Sequence, residues 1–301
     1  MMINYLKHHQ IDKVRWDTCI DHSLNRLIYA KSWYLDMVSP KWEALVNGDY
    51  SMVMPLPVKR KLFLSYLVQP VFTQQLGIFS VNEISSNDII SFLEHIPGKF
   101  FRQIFTLNSS NIIPASQGMI SRQNLELDLH KEYAAIYKGF NENTKRNIKK
   151  AVNAGIKVGQ SEDTGLFLSL YIKYAKEKPN NAGLIKLGKI ITTSLKNDLG
   201  KIVFARSESG EMVAGAFFLK DLGRIIYLAS FTTSEGQDSS AMFLIMDDMI
   251  RKHAMTPHIL DFEGSMIPGI ARFFAGFGAE KRIYHQYRRI GIKFLSKTYH
   301  F

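Results

Sequence analysis

The order of the structural elements predicted for the C-terminal half constrains the fold of this chain more than any other feature of the sequence. Three β-like segments follow one another with only short, glycine-containing turns between them, at residues 201–207, 213–220 and 224–231. This spacing predicts an antiparallel meander. Helices and strands then alternate, with a helix at 239–253, a strand at 258–263, a helix at 267–274 and a strand at 282–287. Because a strand that returns to its sheet through a helix pairs in parallel, the sequence predicts a mixed α/β sheet.

The N-terminal half has a similar texture of strands and helices. Two β-like runs, 50–58 and 61–68, flank Lys59 and Arg60, which predicts a hairpin with its turn at these two residues. A chain of 301 residues lies near the upper limit for one hydrophobic core. We therefore expect two units, one over residues 1–140 and one over residues 141–301.

Composition excludes several classes of protein. Hydrophobic residues make up 46% of the chain, so disorder and collagen-like repeats are excluded. The single cysteine, Cys19, has no partner within the chain, and no apolar leader precedes it, so we expect a reducing, cytoplasmic location. Polar residues such as Gln69 and Pro70 interrupt the long uncharged stretch 62–82, which favours buried strands over a membrane span.

Positive charge is concentrated in two segments. The formal net charge is +11, and residues 138–157 and 271–301 account for all of it. The first segment contains a predicted amphipathic helix, 144–153, with Asn143 as its cap and four cations on one side: Lys145, Arg146, Lys149 and Lys150. Such segments attract anions, although a solvated basic face explains the charge equally well.

The element order, together with two local segments, resembles a known fold. Asp261-Phe-Glu-Gly-Ser265 precedes Phe273-Phe-Ala-Gly-Phe-Gly278 and Tyr284, and this series resembles the GNAT acyltransferases. The length of the chain makes it similar to proteins with two such units in tandem, the Fem-type peptidyltransferases and their relatives that use acyl-CoA. The segment 143–151 is similar to the basic helix that these families place between their units.

The resemblance implies where an acyl donor binds. In GNAT enzymes, backbone N–H groups of the fourth strand hold the thioester carbonyl, and we assign this role to Val213, Ala214, Gly215 and Ala216. The diphosphate of coenzyme A lies on a helix start, which corresponds here to Gly236, Gln237, Asp238, Ser239 and Ser240. The second glycine of the family's phosphate loop is missing, and Phe274 stands where Fem-type enzymes have a lysine.

Two carboxylates are candidates for the catalytic step. Asp261 and Glu263 lie two residues apart on a predicted strand and so share one face. An amine must lose a proton when it attacks a thioester, so we predict Glu263 as the base or acceptor-binding group. Tyr284 or a water then protonates the departing thiolate. The alternative is structural: Asp261 caps the backbone, and Glu263 pairs with Arg272 or another cation.

Aromatic and amide residues suggest an acceptor pocket, although such residues are also typical of a core. The candidates are Asp36, Trp42, Lys61, Tyr66, Gln74 and Gln75. Tyr227 is a candidate for lining the acyl tunnel. The nine histidines lack the spacing of a metal site, and no Gly-x-Ser-x-Gly elbow or Walker loop is present, so we expect no metal, hydrolase or NTPase chemistry.

These observations predict an N-acyltransferase that moves an acyl group, acetyl above all, from acyl-CoA to a small-molecule or peptide amine by direct attack. Two alternatives stay open. One keeps the fold but uses aminoacyl-tRNA to extend a peptidoglycan precursor, with tRNA as the partner of the basic segments. The other is a catalytically silent binding module with the same fold.

Overall fold

A computed structural model describes residues 2–113, 118–221, 223–264 and 266–291. The α-helices are α1 (Lys13–His22), α2 (Ser32–Val38), α3 (Ser86–Glu94), α4 (Tyr133–Lys138), α5 (Glu142–Asn153), α6 (Thr164–Tyr174), α7 (Asn181–Lys196), α8 (Ser234–Asp238), α9 (Ala241–His253) and α10 (Pro268–Ala275). The strands are β1 (Ile3–Leu6), β2 (Glu43–Asn47), β3 (Met52–Leu56), β4 (Val58–Lys61), β5 (Leu64–Val68), β6 (Phe79–Ser80), β7 (Phe100–Thr106), β8 (Met119–Asp128), β9 (Lys157–Ser161), β10 (Gly200–Arg206), β11 (Met212–Asp221), β12 (Arg224–Thr232), β13 (Ile259–Asp261) and β14 (Glu280–Ile290).

The chain divides into two compact units. Unit 1 consists of Met1–Arg122 and Ile283–Phe301, and unit 2 consists of Gln123–Arg282. The division falls within β8 and β14, so unit 1 is discontinuous in sequence whereas unit 2 is one continuous segment. The domain boundary expected between residues 140 and 141 stays a prediction.

Unit 1 contains two groups of strands. One has the order β1-β2-β3-β6, and the other has the order β4-β5-β7-β14. Leu45, Met54, Leu67 and Phe105 form part of the buried core between them and α3, which contributes Phe92. Strands β2 and β3 are buried along almost their whole length, whereas β4 and β5 bury only Val58 and Leu67.

The hairpin predicted in unit 1 has a different turn from the expected one. Lys59 and Arg60 belong to β4 and pair with Tyr66 and Ser65 of β5, so the prediction of a turn at these residues is wrong. The chain reverses at Leu62 and Phe63, where Leu62 has a positive φ of 53°. The period-2 pattern does not reveal this turn, because no glycine, asparagine or proline marks it.

Unit 2 has one sheet in which the strands follow the order β8-β13-β12-β11-β10-β9. Strands β10, β11 and β12 form the predicted antiparallel meander. Strand β13 pairs with β12 in parallel, as expected for a strand that returns through α9. The predicted mixed α/β architecture is confirmed.

The basic helix α5 packs on the core of unit 2 through Ile148 and Ala151, as its amphipathic pattern predicts. It begins earlier than expected, because the side chain of Asn141 caps it by accepting a hydrogen bond from the backbone of Thr144. The described part of the chain contains no helix that is long and apolar enough to cross a membrane.

Candidate active site

The most open feature of the unit 2 sheet lies between β12 and β13. These strands pair only from Arg224 opposite Ile259 to Ile226 opposite Asp261, although β12 continues to Thr232. On the other edge of β12, Phe217 faces Ala229 and Phe218 faces Tyr227, so Leu228 is the extra residue of a β-bulge. A bulge increases the local twist, and this one lies just beyond the point where the pairing with β13 ends.

The chain after β13 follows β8, and among the residues that the structure describes no strand pairs with residues 227–232 of β12 on this side. The backbone N–H of Phe262 donates to the carbonyl of Leu125 in β8 at 3.0 Å. Gly264 has a φ of +43°, and a Cβ at this position would lie 2.4 Å from the carbonyl oxygen of Gln123. Residues 262–264 therefore follow β8 closely, and only a glycine fits at their end.

The strand register shows which amides face the opening. The N–H of Thr233 donates to the carbonyl of Val213 at 2.9 Å, so alternate residues of β12, Phe231 and Ala229, also point toward β11. The N–H groups of Ser230 and Thr232 therefore point to the opposite edge, beyond the end of the pairing with β13. Both residues are half-buried. Two adjacent outward amides can donate hydrogen bonds to a developing oxyanion.

The expectation that Val213, Ala214, Gly215 and Ala216 have unpaired amides is wrong. They lie in β11, where Ala214 and Ala216 face Ala205 and Val203 of β10 and the same segment also pairs with β12. When the strands are counted from β9, the fourth strand is β12 and not β11. Counting the strands predicted from the sequence in the same way would have identified Ser230 and Thr232.

Most backbone N–H groups of the predicted diphosphate loop, 236–240, donate hydrogen bonds to nearby residues of the chain. The hydroxyl of Thr233 accepts the N–H of Gly236 at 3.1 Å. The N–H groups of Gln237, Ser239 and Ser240 donate to the carbonyls of Thr233, Glu235 and Gln237, respectively. A Cβ at Gly236 would lie 2.1 Å from the carbonyl oxygen of Val213, so this turn packs directly on β11. These amides are already satisfied, in contrast to the prediction that they bind a diphosphate.

Helix α9 begins beside the basic helix α5. Ser240 has a φ of 60° and donates its hydroxyl to the side-chain oxygen of Asn147 in α5 at 2.7 Å. Asp238, the remaining residue of the predicted loop, is exposed at the end of α8. The cations Arg146, Lys149 and Lys150 are exposed on the same helix as Asn147, so the start of α9 lies next to a surface of positive charge.

Asp261 is buried in a network of charged side chains. Its Oδ2 lies 2.6 Å from Nη1 of Arg224, which also contacts Oε1 of Glu126 at 2.8 Å. The side chain of Asn124 donates to the same oxygen of Glu126 at 3.0 Å. Burial raises the pKa of Asp261, and the neighbouring guanidinium of Arg224 opposes this rise. The network joins β8, β12 and β13 at the base of the opening.

The structure distinguishes the two predicted carboxylates. Oδ1 of Asp261 accepts the backbone N–H of Glu263 at 2.8 Å, so Asp261 caps the turn after β13, which was the structural alternative. Glu263 follows the end of β13 with a φ of 54° and is half-buried. Because β13 ends at Asp261, the alternation of side chains along the strand does not place Glu263 on the same face as Asp261. Glu263 remains the candidate base.

Tyr227 lies at the bulge and packs in the core of unit 2. Its ring contacts Phe218 and Phe274 at centroid distances of 5.6 Å and 5.8 Å, and its hydroxyl donates to the sulfur of Met242 at 3.5 Å. Burial raises the pKa of Tyr227 to about 12, so its hydroxyl is neutral at physiological pH. Its predicted role in lining an acyl tunnel stays a prediction.

Two of the predicted acceptor residues lie together in unit 1. The indole N–H of Trp42 donates to Asp36 at 3.0 Å, and Lys13 pairs with the other oxygen of Asp36 at 2.7 Å. Trp42 is fully buried against Trp16. Its polar group is satisfied and its ring is part of the core, and its predicted role in an acceptor pocket stays a prediction.

The other predicted residues of unit 1 have separate environments. Gln75 is buried, and its side-chain oxygen accepts the N–H of Ser109 at 2.8 Å while its amide donates to Gln74 at 2.8 Å. Lys61 is exposed at the end of β4, and Tyr66 is half-buried on β5. Tyr284 is buried on β14 within unit 1. Their predicted functions stay predictions.

Comparison with known proteins identifies the fold. No protein-family profile matches the chain, and no curated protein matches it in sequence. The crystal structure of FemX is similar with a TM-score of 0.64 and 12% identity, over 95% of this chain and 97% of that chain. A conserved protein of unknown function from Bacteroides thetaiotaomicron has a TM-score of 0.61 and 10% identity, over 97% and 100% of the two chains.

A third similar structure is the C-terminal domain of a putative lysylphosphatidylglycerol synthetase from Agrobacterium fabrum. Its TM-score is 0.58 at 10% identity, over 93% of this chain and 92% of that chain. Together with the strand order of unit 2, these likenesses define the class of fold, a mixed α/β fold of GNAT-like units. In particular, the chain shares the fold of FemX over almost its whole length. The predicted fold class and the predicted resemblance are confirmed at the level of the fold.

No group of three or more histidine, cysteine, aspartate or glutamate side chains that could hold a metal ion occurs within residues 2–113, 118–221, 223–264 and 266–291. The acidic cluster around Asp261 already contains its own cation, Arg224.

Proposed function

We propose that this protein is an N-acyltransferase that moves an acyl group from an acyl-CoA thioester to the nitrogen of an amine. The observation that supports this proposal is the opening between β12 and β13, where the amides of Ser230 and Thr232 face outward. Backbone amides held by a sheet are preorganised, so they stabilise a developing oxyanion without reorganising during the reaction.

The proposed reaction is a direct transfer. The amine nitrogen attacks the thioester carbonyl carbon, and the carbonyl oxygen becomes an oxyanion that accepts hydrogen bonds from Ser230 and Thr232. The carbon–sulfur bond then breaks, and the thiolate takes a proton from a water. The nitrogen loses its extra proton to Glu263, directly or through a water, to give the amide product.

Removing one of the two proposed donors tests the oxyanion site. We expect Ser230→Pro to lower kcat by about 10²–10³-fold, because proline has no N–H to donate to the oxyanion. The fold should persist, since proline is tolerated in a strand where the N–H points away from the pairing partner. The measurement is the rate of thiol release from acetyl-CoA with a panel of amines, alongside a thermal melt.

Two matched variants control this experiment. Ser230→Ala keeps the amide and should retain the activity of the unsubstituted protein. Phe231→Pro removes an N–H that the register directs toward β11, so this variant should lose thermal stability as well. Full activity of a folded Ser230→Pro protein would show that this amide does not contact the reacting carbonyl.

A second candidate function uses aminoacyl-tRNA as the donor. Two observations favour it: the amides of residues 236–240 are satisfied within their own loop, and the exposed cations of α5 lie beside the start of α9. A bound tRNA would contact many phosphates, so its affinity would fall steeply with salt, whereas the affinity for coenzyme A would fall only slightly.

Binding measurements decide between the donors. We expect calorimetry at several salt concentrations to detect acetyl-CoA binding with a shallow salt dependence, which supports the acyl-CoA proposal. Absence of acetyl-CoA binding, with tight and steeply salt-dependent binding of aminoacyl-tRNA that Arg146→Gln and Lys149→Gln weaken, would favour the second candidate. If neither acetyl-CoA nor aminoacyl-tRNA binds, acyl transfer is contradicted and the catalytically silent binding module is the remaining function.

A further inference from the structure

The hairpin of β4 and β5 carries unusually exposed apolar side chains at its turn. Phe63 is fully exposed and Leu62 is 89% exposed, and Leu64 follows them on β5 with nearly half of its surface in contact with solvent. Single exposed apolar residues are common on proteins, but three in succession at a turn, one of them aromatic, form a contiguous patch.

The outer face of the same sheet continues this surface. Val58 and Leu67 lie opposite each other in the core, so the alternate residues Lys59, Lys61 and Tyr66 lie on the outer face. Tyr66 is next to Arg102 of β7 in the register.

One strand further, the register places Ile290 of β14 beside Arg102 and Arg288 beside Ile104. Both Ile290 and Arg288 are exposed. The outer face therefore alternates apolar and cationic side chains across four strands.

The charge on this face is of one sign. Strands β4, β5 and β7 and residues 283–290 of β14 contain six lysines and arginines, of which the register places four on the outer face, and no acidic residue. Arg60, on the core side of β4, lies 3.6 Å from Glu43. In contrast, no ion pair joins Lys59, Lys61 or Arg102 to a carboxylate within the described ranges 2–113, 118–221, 223–264 and 266–291. These cations are available to an external anion.

We propose that the turn at Leu62 and Phe63, with the cationic face beside it, docks this protein on an anionic lipid bilayer. Apolar side chains at the turn insert at the level of the headgroups, and the adjacent lysines and arginines contact lipid phosphates. A second copy of this chain is a poorer occupant, because a symmetric contact through this face would bring cations against cations. The apolar patch is a turn and not a groove, which suits a deformable partner.

Vesicle sedimentation with the full chain tests this proposal without any enzyme substrate. We expect binding to vesicles of phosphatidylglycerol and phosphatidylcholine, and at least roughly tenfold weaker binding to vesicles of phosphatidylcholine alone. Leu62→Ser combined with Phe63→Ser should weaken binding to the anionic vesicles by roughly tenfold or more, because two large apolar side chains no longer leave water. Lys59→Gln combined with Lys61→Gln should weaken it as well, and more so at low salt than at high salt.

The matched control replaces two other exposed apolar residues of unit 1. Val14 is 77% exposed and Leu24 is 71% exposed, and Val14→Ser combined with Leu24→Ser should bind vesicles as the unsubstituted protein does. Equal loss in both double variants, or no vesicle binding by the folded chain, would overturn the proposal. So would a change from dimer to monomer in Leu62→Ser/Phe63→Ser, measured by sedimentation velocity, with unchanged vesicle binding. Because no donor or acceptor is present, failure here is distinguishable from failure of the proposed transferase activity.

Discussion

Glu263→Gln is expected to lower the rate of amide formation by about 10²–10⁴-fold, which is the usual contribution of a general base. Glutamine has nearly the same shape as glutamate but cannot accept the proton that the attacking amine releases. The backbone N–H of Glu263 donates to Asp261, and this contact does not involve the replaced side chain, so the turn after β13 should persist. Thiol release from acetyl-CoA in the presence of amine measures the effect.

The expected loss lies in kcat, because Glu263 acts on the acceptor proton and not on the donor. Calorimetry should therefore give the same acetyl-CoA affinity for Glu263→Gln and for the unsubstituted protein. Glu235→Gln is the matched control, since Glu235 is an exposed residue of α8, and it should leave the rate unchanged. A Glu263→Gln protein with full activity would remove Glu263 from the mechanism and leave a water as the proton acceptor.

Arg224→Ala is expected to lower the free energy of unfolding by about 3–5 kcal/mol. The guanidinium lies between Asp261 and Glu126, and its removal leaves two buried carboxylates without their cation. Because this network joins β8, β12 and β13, the loss should appear in the unfolding of unit 2. Urea denaturation followed by circular dichroism measures it.

Arg282→Ala controls for the loss of an arginine beside the same network. Arg282 is 56% exposed and lies 3.9 Å from Glu126, so its removal should cost about 1 kcal/mol or less. A loss in Arg224→Ala no larger than in Arg282→Ala would show that the buried pair contributes no net stability.

The pH dependence of Arg224→Ala follows from the pKa of Asp261. Burial raises this pKa in the folded protein above its value in the unfolded chain, so the folded state binds a proton more readily. Stability linked to this group is therefore present at low pH and is lost as the pH rises through the folded pKa. Removal of Arg224 raises the pKa further, so the deficit of Arg224→Ala should shrink as the pH falls from neutral.

The sequence predicts the elements of unit 2 well because local signals determine them. The meander, the return through α9 and the parallel pairing of β13 follow from turns and periodicity, and the structure confirms each. The same periodicity does not show where a pairing ends. The separation of β12 from β13 depends on the bulge at Leu228, opposite β11, and on the close approach of Gly264 to Gln123 in β8. Both features involve residues that are distant in sequence.

The site residues were harder to predict for a related reason. A resemblance assigns a role to a strand by its position in the series. The strand of Val213 is the fourth of unit 2 only if β8 is counted, and it is the third when the count begins at β9. The role of Asp261 depends on the guanidinium of Arg224, which binds both Asp261 and Glu126. In sequence, Arg224 is 37 residues from Asp261 and 98 residues from Glu126. No local pattern reveals such long-range ion pairs.

Because unit 1 is discontinuous in sequence, it cannot complete its fold early during synthesis on the ribosome. Strand β7 pairs with residues 286–290 of β14, which are translated only after all of unit 2 has been made. Unit 2 is continuous and is thus able to fold while translation continues, whereas this edge of β7 stays without its partner until residues 286–290 have been translated. An open edge of this kind is a template for wrong pairing, so β7 is exposed to wrong strand pairing during that interval.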